Sequence, residues 1–482
     1  MNKKKLIIKN NKMISLFDSI FPIFVLILLL YINVSIFGDS SIDGSNQFIL
    51  IIGASIAFVF GLKNKVKPET IFLTISENLK SISTPIIILL LVGALSGSWL
   101  ISGIIPSMIY YGLKLINASF FLPTCVIISS IVALATGSSW STTATIGIGL
   151  IGIGKALGFD LGVVAGAIIS GAYFGDKMSP LSDTTNLAAA VTGSNLFKHI
   201  KYMTLTTVPT IIITLIFFTS YNLFNAPNET VENIQYIESI KNYFFISPIL
   251  FVVPIIVVVS IIKKINPVVS LFIGVISAAM FTLIFQNDLI LRFINESDLN
   301  TYQIIINSIV SNTSIQTDNI FLTELFNSEG MKGMLNTIWL VISAMIFGGV
   351  MESIGALKRI SEFLLGKAKS TIGLFSSTVI SCLTVNISAS DQYLAIVIPG
   401  KMFSNAYNDR KLSNLNLSRT IEDSGTVTSV LIPWNTCGAY QSGVLGVSVF
   451  DYFIYAIFNW LSPLTTLFVA LISYKIKRIN EK

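Results

Sequence analysis

Residues 175–186 concentrate chemically active side chains in a chain that is otherwise mostly apolar. The stretch reads GDKMSPLSDTTN and contains two carboxylates, one ammonium, four hydroxyls and one carboxamide. A charged side chain costs ~2.5–3.5 kcal/mol at the centre of a bilayer, so it persists there mainly where it faces a bundle interior or a polar cavity. The stretch is therefore the first candidate binding site. The alternative interpretation is a polar loop at the membrane surface.

Gly175 and Pro180 belong to the same stretch, and each disfavours a continuous helix. A helix that is interrupted inside a membrane leaves carbonyl and amide groups free to bind ions. The sequence therefore predicts a broken or re-entrant helix between the apolar runs on either side.

Length and composition set the class of protein. The chain has 482 residues, of which 53% are hydrophobic and 12% are charged, whereas a soluble domain carries about 25% charged residues. Apolar runs of about 20 residues recur along the chain, which predicts an all-α, polytopic membrane helix bundle. The net charge of +6 is attributed to basic membrane edges. No nucleic-acid partner is expected, because no basic patch with interleaved aromatic residues occurs.

The side chains that enzymes commonly use are scarce. Cys125, Cys382 and Cys437 lie in apolar surroundings without metal-ligand spacing, so we interpret them as unpaired core residues. The single histidine, His199, lies in a short basic stretch and is expected at the surface. An enzyme is therefore not expected, and neither is a cofactor, although paired aspartates leave an intramembrane aspartyl protease formally open.

The distribution of charge predicts the topology. Basic residues cluster in 1–16, 63–67, 358–369 and 475–482, and the positive-inside rule places these segments in the cytoplasm. Acidic residues dominate 221–243 and 286–334, which we place outside. The predicted organisation is a cytoplasmic tail (1–16), a transmembrane repeat (17–220), an external linker (221–243), a second repeat (244–474) and a cytoplasmic tail (475–482). Each repeat crosses an odd number of times, so the two repeats should have inverted topology.

The two halves also share a pattern of polar interruptions. Thr136 precedes Asp176 by 40 residues, and Thr384 precedes Asp423 by 39. Each interval begins at a polar break in an apolar run and ends in a polar cluster. Inverted repeats with paired helix interruptions are typical of secondary transporters. Coincidence between two apolar halves is the alternative.

Four blocks carry a resemblance to a known family. Residues 175–186, 389–394 with 399–400, and 433–440 resemble the signatures of the NhaC family of bacterial sodium/proton antiporters, and 136–140 is a weaker fourth block. The resemblance implies an ion-transporter-type fold with two inverted repeats, and exchange of Na⁺ for H⁺. Some relatives in this group exchange organic acids instead, such as malate for lactate. Ser141 and Lys401 replace an expected glycine and arginine, which leaves the substrate open.

The side chains in these blocks suit ion exchange. Na⁺ is a hard cation that prefers oxygen ligands. The predicted carboxylates for ions and protons are Asp176, Asp183, Asp391 and Asp423, with Na⁺ at the first three. The predicted neutral ligands are Ser182, Thr184, Asn186, Ser390, Asn435 and Thr436. Burial disfavours the charged form of a carboxylate and bound Na⁺ favours it, so one aspartate can hold either a proton or the cation.

Some assignments stay open at this level. Lys177 is expected to pair with an acid, to bind a substrate carboxylate or to extend toward the membrane surface. Arg419 and Glu422 are expected to form a structural pair near a helix end. The leading function is a Na⁺/H⁺ antiporter of the cell membrane, and the alternative is an exchanger of small carboxylates or amino acids on the same fold. The partners expected are the lipid bilayer, Na⁺ and H⁺, and a homodimer is the oligomeric state left open.

Overall fold

The computed structural model describes residues 14–225, 227, 231–297 and 299–479. Helices make up most of this part of the chain. The strands within it are one short antiparallel pair, β1 (Thr313–Ser314) and β2 (Asn327–Ser328). The predicted all-α class is confirmed. Most of the predicted N-terminal tail lies outside the described residues, as do parts of the predicted linker and C-terminal tail.

The helices of the first half are α1 (Leu16–Phe37), α2 (Ser45–Lys63), α3 (Pro68–Ser81), α4 (Ser83–Ile101), α5 (Ile104–Leu115), α6 (Phe121–Thr136), α7 (Ser139–Thr142), α8 (Ile148–Ala156), α9 (Leu161–Met178), α10 (Asp183–Thr192), α11 (Leu196–Asn225) and α12 (Val231–Tyr243). A π-helical segment, Thr143–Gly147, joins α7 to α8.

The helices of the second half are α13 (Val252–Ile262), α14 (Pro267–Phe285), α15 (Asn287–Ser297), α16 (Thr301–Val310), α17 (Ile320–Leu325), α18 (Gly330–Gly333), α19 (Leu335–Ser353), α20 (Ala356–Lys367), α21 (Thr371–Ala389), α22 (Gln392–Asp409), α23 (Asn414–Ile421), α24 (Thr436–Leu445), α25 (Val449–Tyr452) and α26 (Ile457–Leu471). A second π-helical segment, Glu422–Thr426, follows α23.

Helix length and apolar composition make this a multi-pass membrane protein. Within the described residues, eight helical segments are long and apolar enough to cross a bilayer, and a pair bent by 82° (237–243 and 248–262) brings the number to nine. The segments 118–136 and 371–389 belong to this set. In the sequence they were less evident, because polar breaks follow both of them directly.

The region 286–334, expected to be a polar loop, is folded onto the bundle. It contains α15 to α18 and the strand pair, and both α16 and α18 pack against α4. Ser328 donates a hydrogen bond to Ser96 on α4 at 3.2 Å. Residues 286–334 alternate between short apolar and polar segments because the short helices of this region pack against the bundle with one side only.

The two sequence halves interlock in space. Helices α1 and α2, from the beginning of the chain, pack against α19 and α20, and their apolar side chains share one core cluster. Conversely, α14 packs against α4 of the first half. Each half thus buries apolar surface that only the other half can cover.

The topology has a direct test. Glu238 and Asp318 are exposed, whereas the three native cysteines are fully buried. If 221–243 and 286–334 are external, Glu238→Cys and Asp318→Cys should both react with a membrane-impermeant maleimide in intact cells. Lys411→Cys, at an exposed position between α22 and α23, should react only after permeabilisation. Labelling of just one of the two predicted external positions in intact cells would contradict the inverted topology.

Candidate functional site

The site begins where two interrupted helices meet. After α6, Gly137 adopts a left-handed conformation with φ of +69°, and Ser138 caps the N-terminus of α7. After α9, the chain leaves the helix at Ser179, and Ser182 caps α10. A Cβ atom on Gly137 would lie 2.9 Å from the Ser182 nitrogen, so glycine permits the two breaks to touch.

The candidate stretch 175–186 is largely buried inside the protein. Most of its side chains are inaccessible, and its exposed residues are Pro180, Asp183 and Asn186. The interpretation as a surface loop is therefore wrong. Gly175 does not interrupt the helix as expected, since it lies within α9. Its added Cβ would come within 2.2 Å of the Ser130 carbonyl oxygen, so Gly175 serves the close packing of α9 on α6.

Asp176 connects the two breaks. Its Oδ2 atom accepts a hydrogen bond from the Ser139 backbone nitrogen at 3.0 Å and another from the Ser139 hydroxyl at 2.8 Å. The nitrogen belongs to the first turn of α7, whose partial positive charge favours an anion. The other oxygen, Oδ1, is buried and has no hydrogen-bond partner among the described residues. One half of the carboxylate is thus held in place, and the other half is free to bind.

Asp176 lines a cavity of about 400 Å³ together with Asp183 and Asp391. The cavity is also lined by the hydroxyl-bearing residues Ser139 and Thr436. Three of the four predicted carboxylates therefore face one space, although they come from distant parts of the chain. Within the described residues, no group of three or more His, Cys, Asp or Glu lies close enough to form a metal cluster. The three aspartates surround the space without forming a tight cage.

Hydrogen bonds hold the side chains of Asp183 and Asp391 in place. Asp183 accepts a 2.6 Å hydrogen bond from the Tyr393 hydroxyl and a 2.8 Å bond from the Thr184 nitrogen. Asp391 follows Ser390, which has a left-handed φ of +60°, and caps α22 by accepting a bond from the Leu394 nitrogen at 2.9 Å. Their positions are therefore fixed by the backbone on either side of the cavity.

An aromatic pair forms part of the cavity wall. The rings of Trp140 and Tyr440 stack with their centroids 3.9 Å apart, and the Tyr440 hydroxyl donates to the Trp140 carbonyl at 3.1 Å. Trp140 follows the α6 break, whereas Tyr440 lies on α24. This pair joins the two halves of the chain beside the carboxylates.

The fourth predicted carboxylate, Asp423, lies elsewhere. It forms an ion pair with Lys177, and both side chains are fully buried. Asp423 also accepts hydrogen bonds from Thr206 at 2.8 Å and from Thr466, and Lys177 donates to Ser462 at 3.2 Å. Of the alternatives for Lys177, the structure selects the ion pair. Asp423 is not among the residues that line the cavity.

The predicted neutral ligands divide into two groups. Thr436 lines the cavity, and the Ser390 hydroxyl is buried without a hydrogen-bond partner among the described residues. The remaining four are engaged in local structure. Ser182 and Asn435 cap α10 and α24, Thr184 donates to Glu422 at 3.2 Å, and Asn186 donates to two backbone carbonyls.

Sequence reasoning missed the roles of Ser139 and Tyr393, which hold two of the aspartates. Both residues lie in polar breaks, Ser139 two positions after Gly137 and Tyr393 two positions after Asp391, and these breaks were the available signal. His199 was expected at the surface but is fully buried. The expected pair of Arg419 and Glu422 does not form. The Arg419 guanidinium lies 4.6 Å from the Tyr202 ring centroid, and its nitrogens have no hydrogen-bond partner in the described chain.

Comparison with known protein families identifies the group to which the chain belongs. The sequence model of the Na⁺/H⁺ antiporter family matches residues 171–473, which is more than half of the chain. The protein therefore belongs to the Na⁺/H⁺ antiporter family, and the resemblance to NhaC is confirmed. Its relatives are membrane antiporters and not enzymes.

Alignments with similar proteins extend over most of the chain. The chain is 35% identical over 418 residues to the Na⁺/H⁺ antiporter NhaC of Alkalihalophilus pseudofirmus, covering 87% of this chain and 88% of that protein. It is 33% identical to the malate-2H⁺/Na⁺-lactate antiporter of Bacillus subtilis, covering 94% and 93% of the two chains. It is also 33% identical to the arginine/ornithine antiporter ArcD of Halobacterium salinarum, covering 81% and 79%.

Proposed function

We propose that this protein exchanges Na⁺ for H⁺ across the cell membrane, with Asp176 as the carboxylate that holds either ion. One observation carries the proposal. Asp176 is fixed through Oδ2 by Ser139, while its buried Oδ1 has no hydrogen-bond partner among the described residues and the side chain borders the cavity. An unpartnered buried acceptor costs about 1–3 kcal/mol, and a bound proton or cation relieves that cost.

The competition between the two ions follows from desolvation. When Asp176 is remote from bulk water, its charged form is disfavoured and a proton neutralises it. A Na⁺ ion in the cavity provides an alternative neutralisation, and the oxygens of Asp391 and Thr436 supply further ligands of the type that hard cations prefer. Because both ions use the same oxygen, the binding of one requires the release of the other.

We further propose that the chain consists of two inverted repeats, so that alternating access occurs around a site between them. Equivalent landmarks of the two halves support the repeat. Left-handed residues end α6 and α21, capping residues precede α10 and α24, and left-handed glycines end both of those helices. A single separation of 253 residues relates Gly137 to Ser390, Ser182 to Asn435, Gly193 to Gly446, and the helix start Leu161 to Asn414.

This alignment of the two halves, with a separation of 253 residues, differs from the sequence-based alignment that pairs Asp176 with Asp423. With the separation of 253 residues, Ser138 corresponds to Asp391, and both residues cap a helix directly after a break. Asp176 corresponds instead to Ser429. The two halves therefore share a backbone pattern while placing carboxylates at different positions, which is suited to a single asymmetric ion site.

A second candidate function is exchange of a cationic amino acid. The described residues that line the cavity include three aspartates and no lysine, arginine or histidine. Lys177, the one candidate for binding a substrate carboxylate, is occupied by Asp423. The charge of the cavity thus favours Na⁺, or an organic cation, over a dicarboxylate such as malate.

Transport by the purified protein in proteoliposomes distinguishes these functions. An inward Na⁺ gradient should alkalinise the lumen, because H⁺ leaves as Na⁺ enters, and an outward Na⁺ gradient should acidify it, as measured with an internal pH dye. Malate, lactate, arginine or ornithine gradients should have no effect in the absence of Na⁺. Uptake of radiolabelled arginine that is accelerated by internal ornithine, without any requirement for Na⁺, would instead establish the second function.

A further inference from the structure

A second large cavity, which we call the basic cavity, lies outside the aspartate site. It has a volume of about 1130 Å³ and is formed by three segments: residues 193–205 around the start of α11, residues 413–415 at the start of α23, and residues 475–479 after α26. The segments are tied together by hydrogen bonds. The Ser413 nitrogen donates to the Lys477 carbonyl at 3.0 Å, and the Tyr202 hydroxyl donates to the Lys475 carbonyl at 2.9 Å.

The lining of the basic cavity is strongly positive. Lys198, Lys201, Lys475, Lys477 and Arg478 contribute to it, and the lining residues that the structure describes include no aspartate or glutamate. None of the four lysines has a carboxylate partner within ion-pair distance in the described chain. Like charges that converge without counter-ions repel one another, so a bound anion would stabilise this arrangement.

Two further features increase the positive potential. The N-termini of α11 and α23 both open onto the cavity, where Asn195 and Ser413 act as caps, and helix N-termini favour phosphate groups. The buried Arg419 guanidinium has no hydrogen-bond partner in the described part of the chain, and it stacks on Tyr202, which lines the cavity. Lys477 lies on the same ring, at 5.4 Å from its centroid.

The surroundings of the cavity place it at a membrane interface. Four side chains close to the lining residues in sequence, Phe197, Leu471, Ile472 and Tyr474, are 71%, 66%, 53% and 47% exposed. Apolar and aromatic side chains next to lysines are typical of the zone where lipid headgroups lie. The positive-inside rule places these lysines on the cytoplasmic face, where anionic lipids attract basic segments.

We propose that the basic cavity binds a phosphate-bearing anion, with the headgroup of an anionic phospholipid as the favoured source, and that its occupancy regulates exchange. The ligand class follows from the lysines and helix N-termini, and the lipid source follows from the exposed apolar rim.

Regulation follows from the helices that the basic cavity shares with the buried ion pair. On α11, Tyr202 lines the cavity, and one turn later Thr206 donates to Asp423. On α23, Asn416 accepts from the Tyr202 hydroxyl at 2.7 Å, and the same helix leads into the π-helical segment that contains Asp423. An anion that draws the starts of α11 and α23 together therefore acts on two of the elements that hold Asp423. This step rests on the proposed ion exchange, whereas anion binding does not.

Binding is tested separately from transport. The probes are dioctanoyl phosphatidylglycerol, dioctanoyl phosphatidylcholine and inorganic phosphate, and the readout is the thermal unfolding midpoint of the purified full chain in detergent. Phosphatidylglycerol should raise the midpoint of the parent, and phosphatidylcholine should not. The triple variant Lys198→Gln, Lys201→Gln, Lys477→Gln should bind phosphatidylglycerol about tenfold or more weakly, since each lysine near a headgroup contributes appreciably.

A matched control removes the same charge elsewhere. Lys263→Gln, Lys264→Gln, Lys369→Gln changes three exposed lysines that do not line the basic cavity, and it should bind like the parent. Equal weakening in both triple variants, or an equal shift with phosphatidylcholine, would overturn the proposed site. A shift with inorganic phosphate as large as that with phosphatidylglycerol would support the site and overturn the lipid as its favoured source.

The regulatory step is tested in vesicles with and without phosphatidylglycerol. Exchange by the parent and the control variant should depend on the anionic lipid, and exchange by the cavity variant should not. Retained lipid dependence in a cavity variant that no longer binds would overturn regulation through this cavity. Absence of Na⁺-driven exchange in every sample, together with normal phosphatidylglycerol binding, would instead contradict the proposed function and leave the anion site standing.

Discussion

Asp176→Asn is expected to abolish Na⁺-driven proton movement over the whole pH range. The amide oxygen of asparagine can still accept the two hydrogen bonds from Ser139, and a neutral amide is less costly than a carboxylate in a membrane. The variant should therefore insert and fold. It loses the group that titrates and the charge that attracts Na⁺, so exchange should fall to the level of protein-free vesicles at matched protein content.

Asp183→Asn is the matched control. Asp183 lines the same cavity but is exposed and occupied by the Tyr393 hydroxyl and the Thr184 nitrogen. The Asp183→Asn variant should have a lower apparent affinity for Na⁺ than the parent and should still exchange Na⁺ for H⁺. Exchange by Asp176→Asn at the parent rate would rule out the assignment. Asp391, which lines the other side of the cavity, would then be the next carrier to test.

Removal of one partner from the Lys177–Asp423 pair should produce the largest loss of stability. Asp423→Asn leaves an ammonium fully buried without its counter-ion, and breaking such a pair costs about 3–5 kcal/mol. The variant should accumulate poorly and unfold at a lower temperature in detergent. Asparagine can still accept the hydrogen bonds from Thr206 and Thr466. The decrease in the free energy of unfolding should therefore come from the unpaired charge of Lys177.

The double variant Lys177→Met, Asp423→Asn separates structure from transport. It removes both charges and should recover most of the stability that either single variant loses, because no unpaired charge remains. Recovered stability with normal exchange would assign the pair a structural role. Recovered stability without exchange would make Asp423 part of the proton path, as the sequence alone suggested. A double variant as unstable as Asp423→Asn would contradict the cost assigned to the unpaired Lys177.

The polar stretch 175–186 could be recognised from sequence because a membrane constrains local composition. Each of its charged and hydroxyl-bearing residues interrupts an apolar run, and the cost of placing them in lipid makes the interruption informative. Pro180 likewise predicted the break correctly, since it cannot continue a helix. Gly175 was misread, because the same residue type serves both helix termination and close helix packing, and only the neighbouring helix α6 distinguishes them.

The proposed repeats illustrate a different limit of sequence reasoning. Polar breaks were found in both halves, but pairing residues by chemical type matched Asp176 with Asp423. The backbone landmarks, such as Gly137 and Ser390, give another register. Left-handed residues and helix caps are properties of conformation, and several residue types can occupy them. For the proposed repeats we therefore take backbone conformation, and not the chemical identity of a side chain, as the marker of equivalence.

By itself, the sequence determined the membrane class, the family and the three aspartates that line the cavity, because hydropathy, helix length and the spacing of residues within a block are local properties of the chain. The tertiary structure alone decided which carboxylates share a space. Asp176 meets Ser139 across 37 positions, and Lys177 meets Asp423 across 246. Neighbours in sequence, Asp176 and Lys177 point to different partners, because successive residues of a helix project about 100° apart. Packing of the two halves of the chain then places Asp176 at the cavity and Lys177 in a buried ion pair.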